Sequence, residues 1–399
     1  MSPEGAAAGD EARAWAELLT ALTDGHDLAA TTTRWALSEV MSGRADDARL
    51  AGLLIGLRAK GETVEEIAGL ADGMLAHAMP LPVAGGVLDI VGTGGDGAGT
   101  LNISTAAAVV AAASGAVVVK HGNRAASSRC GSADVLEALG VDIDITPEAV
   151  AEVAAEIGLT FAFAQRFHPA MRYAAPVRRS LRIRTAFNVL GPLTNPSRPA
   201  AMAVGVSDAR WAPIVAGVLA RNGVTALVFR SDDGVDELTT ASGADVWVVV
   251  RGEVAHGRFQ AAPLGLAPAV LTDLAGGDAD TNAARLRQVL LGETGPVADT
   301  VALNAAAGLL AADLAGGPAA AGPATALPAA GAPAAGGPAT AVPAAGAPAM
   351  ETTPAPSAAA VADGFTVALR GPLERARGAI ADGAASDLLQ RWVAATTAR

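Results

Sequence analysis

Residues 92–97 contain four glycines in six positions, a pattern suited to close contact with phosphate groups. These glycines carry no Cβ atom, so the backbone N–H groups of the stretch can approach an anion directly. The apolar run 87–91 predicts a buried strand before the loop, and Asn-Ile-Ser-Thr at 102–105 predicts the start of a helix after it. A glycine loop between a strand and a helix N-terminus favours phosphate binding.

The surrounding sequence narrows the type of phosphate ligand. The loop lacks the Gly-Lys-Ser/Thr ending of a P-loop. Gly92, Gly94 and Gly97 match the dinucleotide pattern G-x-G-x-x-G only loosely, because Lys120 stands where that pattern expects an acidic residue. Lys120 is one of only two lysines in the chain, which hints at a compact positive charge for a ligand richer in phosphate. Chance is an equally good explanation for this lysine.

Polar residues also follow two other predicted strands. The stretch 120–128 follows a strand predicted at 116–119, and acidic pairs at 232–233 and 236–237 follow a strand predicted at 226–229. Open α/β sheets bind ligands at the carboxyl ends of their strands. Adjacent carboxylates in a loop suit Mg²⁺, although an acidic surface turn would give the same pattern.

A cluster of arginines lies between residues 172 and 184. In an otherwise acidic chain this cluster is either a solvated face or a surface that faces an anion, and the sequence favours neither. Its members are Arg172, Arg178, Arg179, Arg182 and Arg184.

In order and spacing these stretches resemble the anthranilate phosphoribosyltransferase family. The resemblance covers residues 15–313 and resumes at 361–395. Two departures affect local loop geometry: Arg182 replaces a glycine that the family often has, and Arg230-Ser231 replace a His-Gly pair. The matching motifs are 92–96, 102–105, 120–124 with Ser127 and Ser128, 131–134, 177–179, 187–196 and 234–238.

The resemblance implies an activity in tryptophan biosynthesis. A 5-phosphoribosyl group would pass from 5-phospho-α-D-ribose 1-diphosphate (PRPP) to the amine of anthranilate, and diphosphate would leave. No covalent nucleophile is implied, because positioning of the weakly nucleophilic amine can supply several kcal/mol. Lys120, Asn123 and Arg178 would do this positioning. Two Mg²⁺ ions are expected as cofactors.

The resemblance also assigns binding residues. Anthranilate would contact Gly92, Asn123 and Arg178, and the metal would be held by Ser104, Asp236 and Glu237. PRPP would be bound by Gly92, Gly95, Asp96, Thr100, Asn102, Ile103, Ser104, Thr105, Lys120, His121, Gly122, Asn123, Arg124, Ala125, Ala126, Ser127, Ser128 and Ser132.

Two alternative functions remain open at this stage. The first is an enzyme like the pyrimidine nucleoside phosphorylases, whose glycine loop resembles Lys-His-Ser-Thr-Gly-Gly, whereas residues 89–95 read Asp-Ile-Val-Gly-Thr-Gly-Gly. The second is a non-catalytic homologue that binds nucleic acid, which a net charge of −12 opposes.

The hydrophobic pattern predicts an α/β protein with a small N-terminal all-α domain. Helical periodicity over 11–82 predicts the small domain, which the family resemblance completes with a segment near 172–200. Residues 83–171 and 201–399 would form the α/β PRPP-binding domain, with a mostly parallel central sheet flanked by helices. Residues 1–10 read as a disordered start. Further strands are predicted at 142–145, 161–163, 202–206 and 246–250.

Residues 315–360 differ in composition from the rest of the chain. GPATALPAAGAP at 322–333 recurs as GPATAVPAAGAP at 337–348, and this Ala/Pro/Gly-rich stretch predicts a disordered linker inserted into the α/β domain. One cysteine, no visible secretory signal and no apolar run long enough for a membrane span predict a cytoplasmic protein that binds neither membrane nor nucleic acid. The resemblance implies a homodimer formed through the helical domain.

Overall fold

The computed structural model describes residues 3–125, 129–316 and 356–399, with the side chains of the first helix from Asp10 onward. The described N-terminal part folds into helices whose apolar faces meet in one core. Thr63 and Glu66 form a capping box, exchanging hydrogen bonds at the start of the last helix of the bundle. The bundle consists of α1 (Pro3–Thr23), α2 (Ala30–Met41), α3 (Asp47–Lys60) and α4 (Val64–Ala76).

The expectation of a disordered start at residues 1–10 is wrong from residue 3 onward. The first helix begins at Pro3 and runs without a break to Thr23. Proline is well accommodated at the first position of a helix, and the alanines at 6–8 have the highest helix propensity.

The rest of the described chain forms an α/β domain around a seven-stranded sheet with the order β3-β2-β1-β4-β5-β6-β7. The first five strands in this order are parallel, and the last two pair antiparallel. This confirms the predicted fold class. The strands are β1 (Val87–Gly92), β2 (Val117–Gly122), β3 (Leu159–Phe163), β4 (Ala201–Gly205), β5 (Thr225–Ser231), β6 (Ala244–Val250) and β7 (Glu253–Phe259).

Helices cover both faces of this sheet. The 3-10 helices lie at Pro169–Tyr173, Ala262–Leu264 and Leu271–Leu274. The α-helices are α5 (Ile103–Ala113), α6 (Ser132–Leu139), α7 (Pro147–Ile157), α8 (Ala164–Phe167), α9 (Ala175–Leu181), α10 (Phe187–Leu193), α11 (Trp211–Arg221), α12 (Ala279–Leu290), α13 (Pro296–Leu314), α14 (Ala358–Asp363), α15 (Phe365–Ala368), α16 (Arg370–Ala381) and α17 (Ala384–Thr397).

Two of the strand predictions need correction. Residues 142–145 are not a strand, although Ile143 and Ile145 are buried in alternation, because the Asp142 side chain accepts the backbone N–H of Asp144 and turns the chain. Strand β7 was not predicted. It lies at the sheet edge and reads Glu-Val-Ala-His-Gly-Arg-Phe, so it lacks the run of apolar residues that predicted the other strands.

Alternate residues of the central strands enter two separate cores. Ile90, Ala203 and Leu227 pack with α5 and α13, whereas Met202 and Val228 pack with α11 and the helical bundle. A parallel sheet buried on both faces explains why these strands read as continuous apolar runs.

The helix α13 is long and apolar enough to cross a membrane by length and composition alone, but 72% of its most apolar window is buried inside the fold. It packs against α5, α16 and the central strands, and Gly308 lets it approach Ile90 and Leu88 closely. Its apolar character is therefore that of a core helix.

The predicted insertion lies mostly outside the described residues. Its predicted end at residue 360 is wrong, because α14 begins at Ala358 and the Ser357 side chain caps it. Before the insertion, Asp313 near the end of α13 pairs with Arg375, whose carbonyl lies 3.5 Å from Ser114 Oγ, just after α5. After it, the carbonyl of Pro356 accepts a hydrogen bond from Arg251 in the turn between β6 and β7.

Candidate active site

A cavity of about 760 Å³ opens at the carboxyl ends of β1 and β2, beside the N-terminus of α5. Most of the predicted binding residues meet here. Thr105 does not line the cavity, because it faces the interior of the protein from α5, and residues 126–128 lie outside the described part. The predicted residues that line it are Gly92, Gly95, Asp96, Thr100, Asn102, Ile103, Ser104, Lys120, His121, Gly122, Asn123, Arg124, Ala125, Ser132, Arg178, Asp236 and Glu237.

The glycine loop requires its glycines for two different reasons. Gly94, Gly95 and Gly97 have φ angles of 66°, 74° and 76°, which side chains other than glycine rarely adopt. At Gly92, which ends β1, a Cβ atom would lie 2.3 Å from Oδ2 of Asp236. The same Asp236 oxygen accepts the backbone N–H of Gly94 at 2.6 Å, so the loop and the acidic segment hold each other in place.

Three carboxylates converge where the glycine loop meets the segment after β5. Oxygen atoms of Asp96, Asp236 and Glu237 all lie within 4.8 Å of one another. Desolvation and the neighbouring charge of Asp96 raise the pKa of Asp236 to about 7. Desolvation, together with Asp236 and Asp96, raises the pKa of Glu237 well above its usual range. Asp96 is a third carboxylate, which the family resemblance assigned to PRPP and not to the metal.

Asp236 and Glu237 do not form an acidic surface turn. Asp236 is buried, and Oε2 of Glu237 is buried without a hydrogen-bond partner. The segment is anchored from both sides: the Ser231 hydroxyl donates to the Glu237 carbonyl, and the Asn304 side chain bonds to both backbone groups of Leu238. Contacts with β5 and α13 thus hold Asp236 and Glu237 in the interior, although their sequence is also typical of an acidic surface turn.

Lys120 is buried and already has two partners in the protein. Its Nζ donates to the carbonyl of Ile90 at 2.7 Å and to the Ser104 hydroxyl at 3.1 Å. Desolvation lowers the pKa of Lys120 to about 8, although Asp89 and the carboxylates Asp236 and Glu237 oppose this shift. Lys120 therefore joins the end of β1 to the start of α5.

Asp89 is fully buried beneath these groups and accepts the backbone N–H of His121 and the side-chain amide of Asn195. Desolvation raises the pKa of Asp89 to about 6, although the nearby charge of Lys120 opposes this shift. Asn195 donates with the same nitrogen to the carbonyl of Val119, so its amide ties β1 to β2.

Two buried histidines form part of the cavity wall, with ring centroids 5.2 Å apart. Desolvation lowers the pKa of His121 to about 3, and desolvation lowers that of His168 to about 4. Both are therefore neutral near pH 7. Neutral His121 can donate from Nδ1 to the carbonyl of Gly191, which lies 3.0 Å away.

Two arginines of the cavity wall, Arg178 and Arg124, have different partners in the protein. The guanidinium of Arg178 lies over the ring of Phe187 at 5.1 Å, and Arg178 lines the cavity. Arg124 instead donates to Asp134 and Glu137, so its charge is already paired. Asn123 is exposed and accepts the backbone N–H of Arg124 through its side-chain oxygen.

Comparison with known proteins identifies relatives of this fold and cavity. The helical bundle domain of a glycosyl transferase family matches residues 16–78, and the a/b domain of that family matches residues 84–327. The anthranilate phosphoribosyltransferase of Arthrobacter sp. (strain FB24) is 57% identical over 300 residues, which cover 75% of this chain and 85% of that protein. The chain belongs to the anthranilate phosphoribosyltransferase family.

Solved structures of anthranilate phosphoribosyltransferases share the fold. The crystal structure of the Thermus thermophilus protein has a TM-score of 0.78 and 39% identity, covering 95% of this chain and 99% of its own. The Saccharomyces cerevisiae protein has a TM-score of 0.77 and 23% identity, covering 96% of this chain and 98% of its own. The yeast structure is a complex with PRPP and Mg, and at this identity it supports the fold alone.

The residues that depart from the anthranilate phosphoribosyltransferase pattern lie after α9 and at the end of β5. Arg182 follows α9 with φ 53° and ψ 26°, so it keeps the left-handed conformation for which glycine is favoured. Arg230 donates from Nε to the carbonyl of Ser207, and the Ser231 hydroxyl holds the backbone of Glu237. Ser231 therefore supports the segment that carries Asp236 and Glu237, whereas Arg230 supports the segment after β4.

Sequence reasoning missed several residues that shape the site. Gly205 and Asn282 belong to none of the predicted motifs, although a glycine at the carboxyl end of a predicted strand could have drawn attention to Gly205. Arg184 was predicted only as one member of the arginine cluster between residues 172 and 184. Asn282 on α12 is buried and donates to Oδ1 of Asn102, whose own amide donates to the carbonyl of Cys130. This chain of amides links α12 to both loops of the cavity.

Proposed function

We propose that this chain transfers the 5-phosphoribosyl group of PRPP to the amine of anthranilate and releases diphosphate. The observation that carries the proposal is the meeting of a glycine loop, a helix N-terminus and three carboxylates in one cavity that Arg178 also lines. A ligand with a diphosphate and a second ligand with a carboxylate match these groups. The sequence identity to the Arthrobacter protein supports the same assignment.

The carboxylate cluster fits a divalent cation. Three carboxylates within 4.8 Å of one another repel when ionised, and burial adds to the cost of their charges. A hard cation that prefers oxygen ligands would remove this repulsion. Asp236 and Glu237 would hold Mg²⁺, with Asp96 beside them and Ser104 as the ligand that the family resemblance adds. Bound there, Mg²⁺ would neutralise negative charge that develops on the leaving diphosphate.

The remaining residues of the cavity bind and orient the substrates. N–H groups of the glycine loop and of the first turn of α5 would bind the diphosphate, and Lys120 would add a positive charge at its base. Arg178 would grip the anthranilate carboxylate, because a planar guanidinium can form two parallel hydrogen bonds with it. Asn123 and Gly92 would line the path of the amine.

A steady-state assay tests this function. Wild-type protein with anthranilate, PRPP and Mg²⁺ should consume anthranilate, which is followed by the loss of its fluorescence. The double variant Asp236→Asn with Glu237→Gln is the matched control and should lose turnover by orders of magnitude while retaining its circular dichroism spectrum. Turnover of a pyrimidine nucleoside with phosphate in place of this reaction would favour the phosphorylase alternative. Binding of nucleic acid without turnover would favour the non-catalytic one.

We further propose two Mg²⁺ ions in each site, a cytoplasmic location and a homodimer formed through the helical bundle. Residues 11–82, completed by 172–200, would form the helical domain, and residues 83–171 and 201–399 would form the α/β domain. The packing of α9 on α3 and of α10 on α4 supports this division.

Exposed apolar side chains at Ile55 and Tyr173, beside the bundle, support the dimer. Sedimentation velocity would test the dimer directly.

A further inference from the structure

Arg184 lies outside the cavity wall but contacts the glycine loop directly. Its Nη2 donates to the carbonyl of Gly94 at 3.0 Å and to the hydroxyl of Ser207 at 2.7 Å. The Ser207 hydroxyl in turn donates to the same Gly94 carbonyl at 2.9 Å. A Cβ atom placed on Gly95 would lie 3.0 Å from this guanidinium nitrogen, so Arg184 also limits the space beside the loop.

The other side of the glycine loop is held with equal precision. The backbone N–H of Gly94 donates to Oδ2 of Asp236 at 2.6 Å. Gly94 and Gly95 have left-handed φ angles of 66° and 74°. Because glycine has no Cβ atom, this backbone can adopt many other conformations when nothing restrains it. Side chains from two distant parts of the sequence thus fix both backbone polar groups of Gly94.

The guanidinium of Arg184 is itself held by an aromatic ring. It lies over the fully buried indole of Trp211 at 5.6 Å. Arg58 and Arg210 lie over the same indole at 5.6 Å and 5.5 Å, and Trp211 Nε1 donates to Glu62 at 3.4 Å. Arg58 and Glu62 belong to α3 and to the link that follows it. The position of Arg184 is therefore tied to the helical bundle.

We propose that Arg184 is a positioning residue that fixes the Gly94 carbonyl beside Ser207, so that the loop presents N–H groups, and not a carbonyl, to the diphosphate. The proposal rests on the function proposed above. A carbonyl that turned toward the diphosphate would repel it. A loop that sampled several conformations would have to be ordered when the diphosphate binds, and the entropy lost in ordering it would weaken binding. Loss of Arg184 should then weaken diphosphate binding far more than anthranilate binding.

The experiment compares Arg184→Met, Arg184→Lys, Ser207→Ala and the control Arg179→Met. Arg179 is exposed on the neighbouring helix α9 and does not line the cavity. Binding of inorganic diphosphate with Mg²⁺ is measured by calorimetry, and KM is measured for PRPP and for anthranilate. Arg184→Met should raise the Kd for diphosphate and the KM for PRPP about 10- to 100-fold, since charged hydrogen bonds are lost. The KM for anthranilate should change less than about threefold, and Arg184→Lys should recover part of the loss.

Several outcomes would overturn the proposal. These are a diphosphate Kd for Arg184→Met within twofold of wild type, an equal loss in Arg179→Met, or equal rises in both KM values. If Arg184→Met does not fold, Ser207→Ala decides, because it removes one of the two donors to Gly94: a clear rise in the diphosphate Kd supports the proposal, and an unchanged Kd overturns it. If wild type binds diphosphate without turnover, the proposed function fails, while the diphosphate Kd values still test Arg184.

Discussion

Gly92 of β1 and Gly205 of β4 lie opposite each other in the parallel ladder, and Asp236 occupies the space beside both. A Cβ atom at Gly92 would lie 2.3 Å from a side-chain oxygen of Asp236, and one at Gly205 would lie 1.6 Å from its backbone carbonyl. The two glycines therefore let a buried carboxylate sit directly on the carboxyl ends of two strands. This relationship sets the position of the carboxylate cluster.

Substitution of these glycines should disturb the metal site to different degrees. Gly205→Ala should be the more severe, because the backbone of Asp236 must move, whereas Gly92→Ala displaces only its carboxylate. We expect Gly92→Ala to raise the Mg²⁺ concentration for half-maximal activity and Gly205→Ala to abolish turnover. Gly86→Ala is the control, because a Cβ atom there meets open space. Normal Mg²⁺ activation of Gly205→Ala would show that the glycine pair does not position Asp236.

The buried histidines should make the protein sensitive to acid. Their pKa values of about 3 for His121 and about 4 for His168 are below the usual value of about 6.5. The neutral rings therefore contribute stability that is present above about pH 6.5 and is lost as the pH falls toward the folded-state values. His168→Gln should lose less thermal stability than wild type between pH 6.5 and about 4.5. The exposed His26→Gln should behave as wild type, and an unchanged acid profile in His168→Gln would contradict the prediction.

Arg178 and Lys120 should affect different substrates. Arg178→Ala should raise the KM for anthranilate about 10- to 150-fold, the value of a charged hydrogen bond, with a much smaller effect on PRPP. Lys120→Gln keeps hydrogen-bond donors for Ile90 and Ser104 but removes the charge, and it should raise mainly the KM for PRPP. Both constants are measured in both variants. If Arg178→Ala weakens only PRPP, the two subsites are assigned the wrong way round.

Arg182 should store backbone strain. A non-glycine residue in the left-handed region costs about 1–2 kcal/mol, and glycine gives back about 0.5–1 kcal/mol through the entropy of the unfolded chain. Arg182→Gly should therefore raise the free energy of unfolding in urea by up to about 1.5 kcal/mol. Arg179→Gly, in the right-handed backbone of α9, should instead lower it by about 1 kcal/mol. Equal effects of the two substitutions would rule out strain at Arg182.

The sequence predicted the fold class and most elements because hydrophobic periodicity and glycine positions are local signals. It could not predict burial at Asp236, since that depends on Gly205 and Asn304, which are distant in sequence. The edge strand β7 was missed for a similar reason, because its pairing with β6 and the cover of α14, not its own composition, make it a strand. Arg184 shows the same limit, since its partners Gly94 and Ser207 are adjacent only in the folded chain.

The described residues on either side of 317–355 have a consequence for engineering the protein. The α5 helix starts at the cavity and ends about 16 Å away, and Asp313 lies near that far end through Arg375. Pro356 returns beside Arg251, at the end of β6 that pairs with the start of β5. Asp313 and Pro356 therefore both lie away from the cavity. A tag or a second enzyme inserted between Asp313 and Pro356 should therefore start and end away from the cavity.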